Sequence, residues 1–161
     1  HRNKNIKAYN IGLGHKNEFI YFYENISSPI SSFLDFDKNN QLKTLWGIND
    51  IKKNKKYKVK IFKFDTWIKD KTIKTIELFK IDTQGFELNV LKGSKESLNK
   101  KIIKNIIVEI IFIKVYEKQP KFNEINNFLN DYNYELKAIV DQSYNKNGEL
   151  LQADFLYKPK I

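Results

Sequence analysis

The sequence predicts an α/β fold, and three observations carry that prediction. Short apolar runs rich in β-branched and aromatic residues recur along the chain, most clearly Ile76–Ile81 and Ile106–Ile111. Segments with helical spacing separate them, and two closing strands joined at Asn147-Gly148 read as a hairpin. A length of 161 residues, with 41% hydrophobic and 14% aromatic content, supports a single domain over residues 1–161 with a substantial core.

The elements follow in order. Ile6–Ile11 alternates apolar and polar before Gly12 and Gly14, predicting a strand and then a turn. Glu18–Tyr23 (EFIYFY) reads as a strand. From Asn25 to Asn54 the pattern is irregular, holding Pro29 and Ser27, Ser28, Ser31 and Ser32, and predicts loop with short helical pieces. Tyr57–Phe64 alternates as a half-buried strand, after which Asp65 is placed to cap a short helix through Ile68. Ile76–Ile81 is a strand followed by the turn Asp82-Thr83-Gln84-Gly85. Phe86, Leu88, Val90 and Leu91 then suit a helix that Gly93 terminates, and Ser94 can cap a second one holding Leu98. The run IIVEII over Ile106–Ile111 marks a strand buried on both faces. Pro120 suits the first turn of a helix through Phe122, Ile125, Leu129 and Tyr132, and Tyr134–Val140 and Ala153–Tyr157 close the chain as strands.

Composition excludes several chemistries. There is no cysteine, hence no disulfide framework, thiolate metal site or Cys nucleophile. His1 and His15 are the only histidines, too few for a multi-histidine metal site within one chain. No apolar run reaches the roughly 18 residues of a membrane helix, and no apolar stretch follows the basic first residues as in a secretory signal, so a cytoplasmic, membrane-free protein is expected. Methionine is absent even at the first position, which points to a processed or partial chain. The net charge is +10, but Lys, Asn and Ile dominate as AT-rich coding favours. Arg occurs once, at Arg2, and the lysines are scattered, the densest run being Lys52–Lys60. A solvated surface is therefore expected in preference to a nucleic-acid interface.

In open α/β sheets ligands bind beyond the carboxyl ends of strands. That rule singles out Asp82, Glu109, Asn10, Gln84 and Gly85. Asp82 either caps the helix that follows or orients a ligand, takes a hydroxyl proton or holds a metal. Glu109, a charge inside an apolar run, either faces a polar site or structural cation or lies near an exposed strand end. NIGLG, with Gly12 and Gly14, reads as a plain turn or as an incomplete dinucleotide fingerprint. The serines at 27–32 read as loop chemistry or as ligand hydrogen-bonding groups.

The segment FKIDTQGFELNVLKGS, Phe79–Ser94, resembles the signature of the FkbM family of S-adenosylmethionine-dependent methyltransferases. Further pieces agree in order: NIGLG with Gly12 where Ala is usual, SSPISSFL for a serine-rich segment, VKIFKFDTWI, VEIIFIKVYEKQPKFNEINNFL, YNYELKAI with Asn133 where Gly is typical, and ADFLYK. The resemblance implies a class I methyltransferase-like (Rossmann-like) fold, a mostly parallel sheet with an antiparallel C-terminal strand. It also implies O-methylation of a small-molecule or sugar hydroxyl. It makes Asp82 and Glu109 the catalytic candidates. Asn10, Ser31, Ser32, Asp82, Gln84 and Gly85 would lie toward S-adenosyl-L-methionine, and Tyr116 and Gln119 on the acceptor side. Glu87, in the first turn of its helix, is read as structural before catalytic, and no metal requirement is indicated, although Asp82 and Glu109 could converge on a cation. The family's Gly-rich cofactor loop and ribose-binding acidic residue lie upstream of NIGLG, so the domain is expected to be N-terminally truncated. It should then bind the cofactor poorly and carry exposed strand edges; a fragment of a longer enzyme is expected in preference to a remnant that re-pairs or forms a homo-oligomer. Two other readings remain: a catalytically inactive interaction module and, behind it, a basic nucleic-acid-binding domain.

Overall fold

The computed structural model describes residues 5–41 and 53–160. Among the described residues two small sheets form instead of one. The first has the order β1-β3-β2, with β1 (Gly12–Leu13), β2 (Glu18–Asn25) and β3 (Lys53–Phe62). β1 runs parallel to β3 and β2 antiparallel to it. The second has the order β4-β5-β7-β6, with β4 (Phe79–Ile81), β5 (Ile106–Ile111), β6 (Tyr134–Tyr144) and β7 (Leu150–Pro159). There β4, β5 and β6 run one way and β7 runs against its neighbours β5 and β6. The outer edge of β4 has no strand partner among the described residues.

Four α-helices accompany the sheets among the described residues: α1 (Phe64–Ile68), α2 (Glu87–Lys92), α3 (Lys95–Asn99) and α4 (Phe122–Asp131). A 3-10 turn covers Ser28–Ile30. α2 and α3 form the crossover that a parallel β4–β5 pair requires. A shared core joins the sheets: Ile61 of β3 belongs to one buried cluster with Ile81, Leu91, Val108, Leu129 and Phe155. β7 alternates as a strand with one face on the core should, burying Leu151, Ala153, Phe155 and Tyr157. β5 is apolar nearly throughout because both of its faces are covered, with Ile106 and Val108 wholly buried. The buried Tyr134 and Tyr157 hydroxyls donate to the Ile103 carbonyl (2.8 Å) and Asn126 Oδ1 (3.3 Å).

Several expectations are corrected. Residues 6–11 are coil; alternation there meets no partner strand, and a strand without a ladder leaves its backbone to water. Gly12, expected in a turn, is in β1. A Cβ at Gly12 would sit 2.7 Å from Ile61 Cγ2 and from Phe33 Cζ, so glycine permits the close approach of β1 to β3. Pro120 precedes α4 instead of opening it, since Lys121 takes the N-cap position. The middle of the irregular 25–54 stretch, residues 42–52, lies outside the described residues.

Asp65 sits inside α1 and caps a different helix. Its carboxylate accepts from the Glu96 and Ser97 amides (2.8 and 3.0 Å) and from the Ser97 hydroxyl (2.6 Å) at the start of α3. Ser94, at the N-cap position of α3, instead donates its hydroxyl back to the Val90 carbonyl at 2.9 Å. Asp65→Ala is expected to cost about 1–2 kcal/mol by removing this cap. Urea denaturation of the variant beside the parent measures it.

Candidate functional site

β4 ends at Ile81, and the chain turns at Asp82-Thr83-Gln84-Gly85 into α2. Two successive left-handed residues, Gln84 (φ 54) and Gly85 (φ 90), make the turn sharp. At Gly85 the space is closed as well: a Cβ would meet Leu34 Cδ1 and Tyr116 Cδ2 at 3.1 Å.

Glu87 holds this turn from within. It is 3% exposed, and its Oε1 accepts from the Thr83 amide (3.0 Å), the Thr83 hydroxyl (3.2 Å) and the Gly85 amide (2.9 Å). Burial pushes its carboxyl above the ordinary carboxylate range, against the hydrogen bonds that pull it down. From the other side, the buried Ser32 hydroxyl donates to the Gln84 carbonyl at 2.7 Å and accepts from the Leu34 amide at 3.0 Å.

The turn projects Gln84 into the centre of the site. Its Nε2 donates to Asp82 Oδ1 (3.1 Å) and to Glu109 Oε2 (3.0 Å), bridging the end of β4 to the neighbouring β5. Its Oε1 lies 3.1 Å from the Tyr116 hydroxyl, which is also 3.1 Å from the Ile30 carbonyl, so one proton serves two acceptors. Burial pushes the Tyr116 hydroxyl upward, and nearby Glu87 adds to the shift. Asp82 itself is exposed, and Lys80 lies 3.7 Å from it while holding Asp154 at 2.6 Å.

Glu109 is 9% exposed, and its carboxyl is pushed up to about 8, first by burial and then by the negative Asp82 beside it, with Lys80 opposing. The folded state holds the Glu109 proton more tightly than the unfolded chain, whose carboxyl titrates near 4.5. Its contribution is complete below that value, declines as pH rises and is lost through about 8. Denaturation at pH 5, 7 and 9 is therefore expected to show the parent losing stability relative to Glu109→Gln, which keeps an acceptor for Gln84 without a group that ionises.

Two clefts open beside Asp82. One, of about 440 Å³, is walled by Phe22, Pro29 and Phe33 and carries Ser31, Asp82, Thr83 and Gln84. The other, of about 280 Å³, is lined by Lys80, Asp82, Glu109, Asp141 and Asp154 among others. Among the described residues, no group of three or more His, Cys, Asp or Glu is arranged to hold a metal ion.

The structure thus brings together Asp82, Gln84, Gly85, Glu109, Tyr116, Ser31 and Ser32. Ser31 lines the larger cleft, and its hydroxyl accepts from the Asn25 amide at 3.0 Å. Tyr116, expected on the acceptor side, is 1% exposed and turns its hydroxyl to Gln84. Gln119 spends its amide on loop backbone: Oε1 accepts from Val115 and Tyr116 (2.9 and 2.8 Å), and Nε2 donates to Ile111 and Ile113 (3.3 and 2.7 Å). It shapes the loop that carries Tyr116. Asn10 lies exposed in the coil before β1, and no described hydrogen bond ties it to the turn. Lys80 and Asp154 were not anticipated. Lys80 is two residues before Asp82, and strand periodicity puts both on one face; Asp154 pairs with Glu109 only through the β5–β7 register.

Among the described residues, no helix is long and apolar enough to cross a membrane. A family model of the methyltransferase FkbM domain matches residues 1–136. No curated protein and no solved structure matches the chain.

Proposed function

The chain belongs to the FkbM methyltransferase domain family, and from that premise we propose that it carries the Asp82 side of an S-adenosylmethionine-dependent O-methyltransferase site. The acceptor would be a hydroxyl of a small molecule or sugar. The order β4-β5-β7-β6, with β7 alone reversed, is what the second half of a class I methyltransferase sheet would present. The observation that carries the reading is the exposed Asp82 at the end of β4, tied through Gln84 to a buried Glu109 and open to a cleft.

The residues present fit part of the cofactor. Phe22, Phe33 and Pro29 offer flat apolar walls, while Ser31, Thr83 and Gln84 add polar groups beside the Asp82 carboxylate. S-adenosylmethionine, when bound, supplies a methyl group already activated on a cationic sulfonium. Asp82 would offer negative charge to that cation and is the exposed group able to take the acceptor's hydroxyl proton. Glu109, pushed up to about 8, keeps its own proton near neutrality and leaves that role to Asp82. Gln84 fixes both carboxyl groups, and Tyr116 fixes Gln84.

Titration of S-adenosylmethionine into isotopically labelled protein, followed by amide NMR shifts, tests the reading. Saturable shifts are expected at Ser31, Phe33, Thr83 and Gln84, and Asp82→Ala should abolish them. A folded protein with no saturable shift at this cleft would overturn the proposal in favour of an inactive interaction module.

A further inference from the structure

The face of the β1-β3-β2 sheet that points away from the Asp82 cleft has a composition that chain order conceals. Antiparallel register sets Phe19 opposite Lys60, Tyr21 opposite Lys58 and Tyr23 opposite Lys56. Directly opposed residues share a face, so three aromatic rings and three ammonium groups form one ladder. The inward residues of the same strands, among them Phe22 and Ile61, belong to the cleft and the core. Phe19 is 63% exposed and Tyr21 46%. The lysines lie over the rings: Lys56 Nζ is 4.2 Å from the Tyr21 centroid and 5.0 Å from that of Tyr23, and Lys60 Nζ is 5.0 Å from that of Phe62. Glu18 and Glu24 alternate with the rings along β2 and so fall on the opposite face. Among the described side chains this ladder carries no carboxylate, and no described ion pair uses Lys56, Lys58 or Lys60.

We infer that this face binds single-stranded nucleic acid, with Lys56, Lys58 and Lys60 meeting phosphates and Phe19 and Tyr21 stacking on bases. Lysines two apart on a strand stand about 6.6–6.8 Å from one another, so the positive charge runs as a line that can follow a flexible backbone. Rings alternating with cations are the usual means of holding a single strand without reading its sequence. A neutral sugar polymer would leave the three ammonium groups of the ladder without anionic partners. A membrane surface would need a continuous apolar area, whereas here each ring stands opposite an ammonium group. The inference is independent of the methyl-transfer reading, which uses the other side of this sheet.

Fluorescence anisotropy of a labelled 20-nucleotide oligo(dT) titrated with the protein tests it, with heparin and phosphatidylserine vesicles as parallel arms. Binding with a dissociation constant of about 10⁻⁴–10⁻⁶ M is expected, with a slope of log affinity on log salt near about −2 for three phosphate contacts. The triple variant Lys56→Gln/Lys58→Gln/Lys60→Gln should bring that slope close to zero. Tyr21→Leu should weaken binding roughly 5- to 150-fold while leaving the slope unchanged, a readout that charge alone would not move. Both variants lie on an exposed face, and circular dichroism checks their folding. No binding to oligo(dT), binding insensitive to Tyr21→Leu, or preferential binding to heparin or vesicles would overturn the assignment.

Discussion

Glu87→Leu is expected to destabilise the protein by about 3–5 kcal/mol, the largest loss of stability we anticipate from a single substitution. The variant keeps bulk at a buried position but removes the acceptor for the Thr83 and Gly85 amides and the Thr83 hydroxyl. Two backbone donors then stand unpaired in a turn that already holds two left-handed residues. For a chain of this length the loss corresponds to a Tm lower by roughly 6–20 °C. Glu87→Gln separates the cause. All three bonds converge on one oxygen, which the amide retains, and burial already favours the uncharged form of Glu87. Glu87→Gln should therefore cost less than about 1 kcal/mol. Equal losses in both variants would mean that ionic charge, not the shared acceptor, holds the turn.

Asp82→Asn is expected to have the opposite profile, with the proposed methyl transfer falling by about 10²- to 10⁴-fold while stability barely changes. Asp82 is exposed, and an asparagine oxygen can still accept from Gln84 Nε2, so the fold loses little. What disappears is the negative charge and the ability to take a proton. Formation of S-adenosylhomocysteine in the presence of a panel of hydroxyl acceptors reads the rate. Glu109→Gln should lose less, because Glu109 already keeps its proton near neutrality. A larger loss for Glu109→Gln than for Asp82→Asn would exchange the roles assigned to the two carboxyl groups.

Much of this architecture was legible from local pattern. Alternation located β3, aromatic and β-branched content located β2, the IIVEII run announced a strand covered on both faces, the Asn147-Gly148 turn marked the β6–β7 hairpin, and helical spacing located α4. Alternation misled at residues 6–11, because period two states which way side chains point but not whether a partner strand is present. Asp65 misled for a related reason: a capping residue was recognised, but the amides it serves are 31 and 32 positions away. Scattered lysines concealed the basic face in the same way, since only the β2–β3 register sets them opposite the rings.

The sequence by itself determined the α/β class, the family signature and the identity of the carboxyl groups near the strand ends. The class and the carboxyl positions follow from composition and short-range periodicity, which record how each segment buries one face or both; the signature follows from the resemblance of Phe79–Ser94 to the family's motif. Tertiary structure alone decided how the site is wired. Ser32 meets the Gln84 carbonyl across 52 positions, Gln84 meets Glu109 across 25, and Tyr116 meets Ile30 across 86. Gln119 was legible as a residue near the site but not as the support of the Tyr116 loop, nor was the Glu109 carboxyl legible as one pushed up to about 8. Hydrogen-bond partners and desolvation are set by what packs against a group in space, and local pattern does not record that contact.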